Sequence, residues 1–238
     1  MFSAVLETSL NLLFPPLCRG CNDLLPGQVD TVLCVGCWEK MEPIRGPVCW
    51  HCGAPEAEPA NYCRRCPGFI TAFDSARFAV DYSPLVRELI HAFKFGGSLK
   101  VRPLLAELFL KGANLRLKPQ DFDTIVPVPL HWTRLFKREF NQSELLADEL
   151  AKQWGILLSR RALKRSRRTS PQSKLRGRWR TENIKDAFAP GREEVEGKRI
   201  LLVDDVMTTG MTLSACAQTL REAGAAKVVA YTLARRLS

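Results

Sequence analysis

The chain has 238 residues, of which 46% are hydrophobic and 25% are charged, so it can bury a sizeable core. This composition excludes a disordered polymer. No run reaches the roughly 18 apolar residues that a membrane span requires. The apolar residues 1–17 lack the basic start and the cleavage site of a signal peptide. We therefore expect no membrane span and a cytoplasmic protein.

The positive charge is concentrated in one segment. Thirty-five basic and 25 acidic residues give a net charge of +10, and ten of the basic residues, with no acidic one, lie between Arg160 and Arg180. Such a stretch attracts phosphate, whether on nucleic acid or on a small nucleotide. A solvated helix face or a disordered loop is the common alternative for an arbitrary run of charge.

The cysteines point to metal. Eight of the nine form Cys-x-x-Cys pairs, namely Cys18/Cys21, Cys34/Cys37, Cys49/Cys52 and Cys63/Cys66. Disulfides are rare in a reducing compartment, and Zn²⁺ takes four tetrahedral ligands, so we predict two structural Cys₄ zinc sites. Pairing in sequence order is the simplest arrangement, and an interleaved one stays open. The ninth cysteine, Cys216, fits a small packed residue in a helix better than a nucleophile.

Two regions differ in pattern. Residues 1–70 combine cysteine, proline and glycine after a short amphipathic opening helix, and metal has to stabilise them. Residues 71–238 alternate strands and helices, which predicts an α/β domain with a mostly parallel sheet flanked by helices. The predicted strands are 73–81, 124–128, 199–203 and 227–233, and the predicted helices are 84–95, 101 to about 111, 141–154 and 212–223.

The most informative stretch runs from Ile200 to Thr212. A buried strand leads to Asp204 and Asp205, and a Thr-Gly loop then opens a helix. Backbone N–H groups, hydroxyls and a helix N-terminus together bind phosphate. Carboxylates accept hydrogen bonds from vicinal sugar hydroxyls or hold Mg²⁺ through water. One phosphate beside one diol describes a ribose 5-phosphate, whereas a capped turn alone explains Gly210 but not the carboxylate pair.

This stretch resembles the phosphoribosyl pyrophosphate signature of type I phosphoribosyltransferases. The whole chain is similar to the ComF (GntX-like) family, which joins a double zinc ribbon to such a domain. The pattern is departed from at Glu139, where a glycine is expected. The other matching blocks are Tyr82 with Leu89 and Lys94-Phe95, Val126–Pro129, Arg138–Ser143, Arg168-Thr169, Gln172, Leu175, Arg180, Asn183 and Ala187-Phe188.

The resemblance implies roles for individual residues. Asp204 and Asp205 would bind the ribose hydroxyls and, in an active enzyme, Mg²⁺. The 5-phosphate would be held by Met207, Thr208, Thr209, Gly210, Met211 and Thr212. The loop containing Pro129, His131 and Arg138 would face the pyrophosphate. The part of the basic segment from Arg167 to Arg180 would lie where this fold keeps a mobile loop that closes over the ligand. It would supply Arg168 and Lys174 to catalysis, together with Asp204 and Asp205.

The family resemblance implies a factor that handles single-stranded DNA in natural competence, DNA uptake or DNA utilisation. A DNA-uptake helicase or processing protein is a possible partner. The alternatives are an active Mg²⁺-dependent phosphoribosyltransferase acting on an unidentified base and a ligand-sensing regulator. Under the DNA interpretation the zinc ribbons and the basic segment bind the phosphate backbone of the DNA strand. The contact residues in that segment would be Arg160, Arg161, Arg165, Arg167, Arg168, Lys174, Arg176, Arg178 and Arg180.

Overall fold

A computed structural model describes residues 16–25, 31–66, 71–95, 100–130, 140–165 and 187–237. The predicted opening helix lies outside these ranges. Within them, five parallel strands form one sheet, namely β1 (Ser75–Asp81), β2 (Thr124–Pro127), β3 (Leu157–Leu158), β6 (Arg199–Met207) and β7 (Lys227–Arg235). Their order across the sheet is β1-β7-β6-β2-β3.

Helices cover both faces of this sheet. The helices are α1 (Val35–Glu39), α2 (Pro84–Phe95), α3 (Val101–Arg116), α4 (Gln142–Trp154) and α5 (Met211–Glu222), and a small antiparallel ladder pairs β4 (Leu163–Arg165) with β5 (Phe188–Pro190). The helices α2, α3 and α4 form one hydrophobic cluster with one face of the sheet, and α5 and the ladder form another with the opposite face. None of the described helices is long and apolar enough to cross a bilayer.

The central strand β6 is apolar on both faces because both faces are covered. Leu201 packs with the α2–α4 side, whereas Ile200 and Leu202 pack with the α5 side, and all three are fully buried. A continuous apolar run is the pattern of such a strand. The predicted parallel α/β architecture is therefore confirmed.

The strand β6 is longer than its apolar run predicts. The sequence predicts an end at Val203, but pairing with β7 continues, with Asp204 opposite Thr232 and Val206 opposite Ala234. Backbone hydrogen bonds with β7 keep Asp204 in the ladder although its side chain is polar. Both predicted acids therefore lie inside the strand and not after it.

The helix α3 also runs past its predicted end near Lys111. Gly112 does not terminate it but lets it approach β1, because a Cβ at Gly112 would lie 2.5 Å from the Cβ of Ala79. The helix continues to Arg116. A glycine that reads as a stop signal thus serves close packing between helix and strand.

The cysteine-rich residues cover the outer edge of β1. The amide of Ala76 donates to the His51 carbonyl, and the amide of Ile44 donates to the Ala79 carbonyl, each at 2.8 Å. The Arg116 guanidinium donates to the carbonyl of Ile44 at 2.6 Å and to that of Gly46 at 2.9 Å. An edge strand with open amides and carbonyls invites further pairing, so this contact closes the sheet on that side.

Candidate functional site

The eight paired cysteines form two clusters in sequence order. In each cluster the four Sγ atoms lie within 4.8 Å of one another. The first cluster is Cys18, Cys21, Cys34 and Cys37, and the second is Cys49, Cys52, Cys63 and Cys66. The interleaved arrangement is thereby excluded.

The spacing of the sulfur atoms suits zinc. The Sγ of Cys63 lies 3.5 Å from that of Cys52 and 3.8 Å from that of Cys66. A tetrahedron with Zn–S bonds of about 2.3 Å has edges of about 3.8 Å. Both clusters therefore have the donor set and the geometry of structural zinc sites.

Backbone amides prepare the first cluster for a cation. The amides of Gly20 and Cys34 each donate to the Sγ of Cys18 at 3.3 Å. Burial opposes ionisation, but these N–H groups and that of Cys21 outweigh it and lower the pKa of Cys18 to about 6. Zn²⁺ binds the thiolate form, so these amides favour Cys18 as a zinc ligand near neutral pH.

The loop between β6 and α5 has the features of an anion site. Gly210, the N-cap of α5, adopts a left-handed conformation with φ of 72°, which glycine reaches without strain. No side chain caps this helix, and its first turn carries no acidic residue. The positive end of the helix dipole therefore meets no acidic side chain from its own first turn.

Thr209 carries an unusual hydroxyl in this loop. Its Oγ1 is buried and has no hydrogen-bond partner among the described residues. Leaving such a group unpaired costs about 1–3 kcal/mol, and a phosphate oxygen would accept a hydrogen bond from it. Met207 and Gly210 are buried, Met211 and Thr212 are half-buried in the first turn of α5, and Thr208 is exposed.

Asp204 is held by the start of α4. Its Oδ1 accepts hydrogen bonds from the Ser143 hydroxyl at 2.7 Å and from the Asp205 amide at 2.9 Å. Burial, reinforced by the neighbouring Asp205 charge, raises the pKa of Asp204 to about 6. This carboxyl is therefore partly protonated in the slightly acidic range.

Asp205 has a different partner. Its Oδ2 lies 2.6 Å from the ammonium of Lys94, at the end of α2. The two acids are thus not equivalent, since one accepts from a hydroxyl and the other faces a cation. Sequence reasoning assigned no role to Ser143 or Lys94, although both stand in the blocks that resemble the family.

The predicted pyrophosphate loop begins at the same edge of the sheet. Pro127, the last residue of β2, pairs with Val203 of β6. The side chain of Asn141 accepts from the Ser143 amide and donates to the Val128 carbonyl at 3.0 Å, which fixes this loop against α4. Pro129 follows directly, whereas His131 and Arg138 lie outside the described residues.

Arg160, Arg161 and Arg165 lie in the described part of the basic segment, and each contacts another part of the protein. Arg160 is paired with Glu144 and Asp148 of α4, and the Arg161 amide donates to Glu193. The Arg165 guanidinium stacks over the ring of Phe188, 5.1 Å from its centroid, in the β4–β5 ladder. The remaining predicted nucleic-acid contacts, Arg167, Arg168, Lys174, Arg176, Arg178 and Arg180, lie outside the described residues.

Comparison with protein families finds one match in the cysteine-rich part of the chain and one in the α/β part. Residues 9–67 match the double zinc ribbon domain, and residues 141–238 match the phosphoribosyl transferase domain. The chain is 36% identical over 198 residues to DNA utilization protein YhgH of Salmonella typhimurium, which covers 81% of this chain and 86% of that protein.

Two further relatives carry competence names. The chain is 31% identical over 208 residues to Competence protein F of Haemophilus influenzae, covering 85% of this chain and 90% of the relative. It is also 31% identical over 213 residues to Competence protein ComFC of Bacillus subtilis, covering 87% and 85% respectively. The similarity therefore extends over most of the length of each protein.

Proposed function

This chain belongs to the ComF family, in which a double zinc ribbon precedes a phosphoribosyltransferase domain, and on that basis we propose a two-part function. The protein binds a phosphoribosyl ligand, either phosphoribosyl pyrophosphate or a nucleotide, at the loop between β6 and α5. It also handles single-stranded DNA in competence or DNA utilisation, in the cytoplasm. A helicase or a processing protein of DNA uptake is the expected partner.

The buried, unpaired hydroxyl of Thr209 is the observation that carries the ligand proposal. It sits beside Gly210, at the start of a helix with no acidic residue in its first turn and no side-chain cap. A phosphate placed there would accept hydrogen bonds from this hydroxyl and from the backbone amides at the helix start. This one ligand group would resolve both features.

The remaining predicted ligand residues extend from that phosphate. The carboxylates of Asp204 and Asp205 accept hydrogen bonds from the ribose hydroxyls. Pro129, His131 and Arg138 belong to the loop on the pyrophosphate side. The same carboxyls offer the oxygen ligands that Mg²⁺ prefers. When bound, Mg²⁺ would neutralise diphosphate charge.

The DNA half of the proposal is supported by the relatives and by the charge. The relatives are named for DNA utilization and for competence. The chain has a net charge of +10, concentrated between Arg160 and Arg180. Each phosphate contact releases counterions, so binding should weaken steeply with salt.

Titration calorimetry with ribose 5-phosphate and with phosphoribosyl pyrophosphate tests the ligand site in the zinc-loaded protein. Thr209→Val is expected to weaken binding about 10- to 100-fold, because it removes one hydrogen bond to a charged group. Its melting temperature should stay equal or rise, since the lost hydroxyl had no protein partner. Thr209→Ser keeps the hydroxyl and should bind as the wild type does. Equal affinity in wild type and Thr209→Val overturns this ligand assignment.

Fluorescence anisotropy with a labelled oligothymidine at two salt concentrations tests the DNA half. Charge reversal at Arg167, Arg168 and Lys174 should weaken binding and flatten its salt dependence. Binding that ignores both salt and these reversals rejects the DNA role.

Phosphoribosyl transfer is the second candidate, favoured by the pKa of about 6 at Asp204, which suits proton transfer near neutral pH. Turnover of phosphoribosyl pyrophosphate with any nucleobase, lost in the variant carrying Asp204→Asn and Asp205→Asn, would establish the enzyme. Tight binding of the same compound without turnover identifies a binding protein.

A further inference from the structure

A pocket lies between the sheet and the second ribbon, the segment 49–66 that holds the second cysteine cluster, far from the candidate phosphate loop. Its volume is about 240 Å³, and its walls include Ser75 and Lys227, the first residues of β1 and β7. The candidate phosphate loop follows Met207, the last residue of β6. Since all these strands are parallel and β6 and β7 each have nine residues, the two sites lie roughly 25 Å apart, at opposite ends of the sheet.

Cations dominate the walls of this pocket. The lining contains four basic side chains and one carboxylate, Asp121. Within the described part of the chain, none of the four forms an ion pair with a carboxylate. The four are Arg77, Arg116, Lys118 and Lys227.

Two of these cations are held rigidly by the ribbon backbone. Arg77 donates to the Trp50 carbonyl at 2.6 Å, and Arg116 donates to the Ile44 and Gly46 carbonyls. Burial lowers the pKa of both guanidinium groups, and the charge of Arg116 lowers that of Arg77 further. Carbonyl oxygens orient these groups but do not neutralise them, so an anion in the pocket would relieve their repulsion.

An exposed aromatic ring stands at the same place. Trp50 lines the pocket, and half of its surface is open to solvent. An indole face beside fixed cations is the combination that binds a single nucleic-acid strand, with phosphate on the cations and a base stacked on the ring. Free phosphate would use only the cations.

We propose that this pocket, formed by Trp50, Arg77, Arg116, Lys118 and Lys227, seats one phosphate of a single DNA strand and stacks the adjacent base on Trp50. The assignment rests on the proposed DNA function and adds the place where the strand is held. It makes the junction between ribbon and sheet a binding element, separate from the basic segment and from the phosphoribosyl site. Arg77 and Arg116 set its shape, while the exposed Lys118 and the half-buried Lys227 supply charge that can be removed without disturbing the junction.

The test compares two double variants that lose the same charge. One carries Lys118→Ala and Lys227→Ala, and the other carries Lys111→Ala and Lys152→Ala, whose lysines pair with Glu107 and Asp148 on helix surfaces. Binding of oligothymidine to the full zinc-loaded chain is measured by anisotropy over a range of salt. The pocket variant should bind about tenfold more weakly at low salt, with a salt slope reduced by about 1–2, and the control should stay close to wild type.

Trp50 provides an independent readout. Trp50→Ala should weaken oligothymidine binding about tenfold without changing the salt slope, and Trp50→Phe should recover part of the loss. Zinc content and melting temperature are measured for every variant to show that the ribbon remains folded.

The outcomes separate this inference from the proposed function. If the wild type binds DNA but the pocket variant and Trp50→Ala bind as tightly as the control, the pocket assignment is wrong and the DNA function stands. If the wild type does not bind the oligonucleotide, both are overturned, whereas calorimetry with ribose 5-phosphate still reports on the other site.

Discussion

The ammonium of Lys94 lies 2.6 Å from Oδ2 of Asp205, and only 20% and 12% of these two side chains remain exposed. The contact joins the end of α2 to the strand that carries the candidate ribose-binding acids. It gives Asp205 a built-in counter-charge, so this carboxylate is balanced before any ligand arrives. Removing Lys94 leaves Asp205 shielded from water and uncompensated, whereas Lys94 still interacts with the charge of Asp204 when Asp205 is removed.

Lys94→Met should therefore destabilise the protein by about 2–4 kcal/mol, because breaking a shielded pair strands one charge. Urea unfolding of Lys94→Met, Asp205→Asn and the double variant measures the coupling. The double variant should recover most of the loss. Lys152→Met, which breaks the exposed pair with Asp148, should cost less than about 1 kcal/mol. Strictly additive single effects would show that Lys94 and Asp205 do not interact.

The raised pKa of Asp204 predicts how stability depends on pH. The folded protein takes up a proton at this carboxyl near pH 6, whereas an unfolded aspartate does so near its ordinary value of 3.8. The folded state thus binds more protons between these two values. The contribution is fully present below about pH 4 and is lost as pH rises through 6.

Asp204→Asn should remove this dependence and stabilise the protein at pH 8 by on the order of 1–3 kcal/mol. The amide oxygen can still accept from Ser143 and from the Asp205 amide. Unfolding free energies at pH 5 and pH 8, in wild type and variant, provide the measurement. If Asp204→Asn shows the same difference in unfolding free energy between pH 5 and pH 8 as the wild type, the titrating group lies elsewhere.

The sequence predicts the sheet well, because apolar runs such as Ile200–Val203 reflect burial on both faces. It misses the extension of β6 through Asp204 and Asp205, since backbone pairing with β7 leaves no side-chain pattern. It also ends α3 near Lys111, whereas the helix continues through Gly112 to Arg116. A stop signal and a close-packing position require the same residue, and only the neighbouring Ala79 distinguishes them.

The site shows the same limit. The zinc ligands follow from spacing alone, because each Cys-x-x-Cys pair supplies two ligands to one ion. The partners of the acids do not, since Ser143 and Lys94 reach them across long stretches of sequence. The cationic pocket also escapes sequence reasoning because its residues come from the ribbon, two strands and the end of α3.

The two zinc sites should differ in lability. In the first cluster Cys21 is exposed and Cys34 is half-buried, whereas all four cysteines of the second cluster are buried. A chelator should therefore remove zinc in two phases of equal amplitude, with the first cluster emptied first. Release kinetics followed with a metal-binding dye provide the measurement. Cys21→Ser should eliminate the fast phase, and a variant that instead loses the slow phase would reverse the assignment.

Gly53 tests the contact between the second ribbon and β1. It has φ of +74°, and an added Cβ would lie 2.5 Å from the carbonyl oxygen of Ala76. Gly53→Ala should cost about 2–4 kcal/mol, from left-handed strain plus the clash. Gly46→Ala is the matched control, because φ is +77° but nothing lies within 4 Å. It should cost only about 1–2 kcal/mol. If urea titration shows that both variants lose the same unfolding free energy, the ribbon moves away from β1 at no cost and the contact at Gly53 is not tight.

The amide of Ile44 and the carbonyl of His51 form hydrogen bonds with β1, and these bonds give zinc a role beyond folding a small module. Metal loss releases the segment that shields the rim of the sheet, and a bare rim templates association with other chains. Zinc scarcity would thus cause the protein to associate with other copies of itself while its α/β domain is still folded. Supplying chelator during expression should consequently yield aggregates rather than a soluble, ribbon-free remnant.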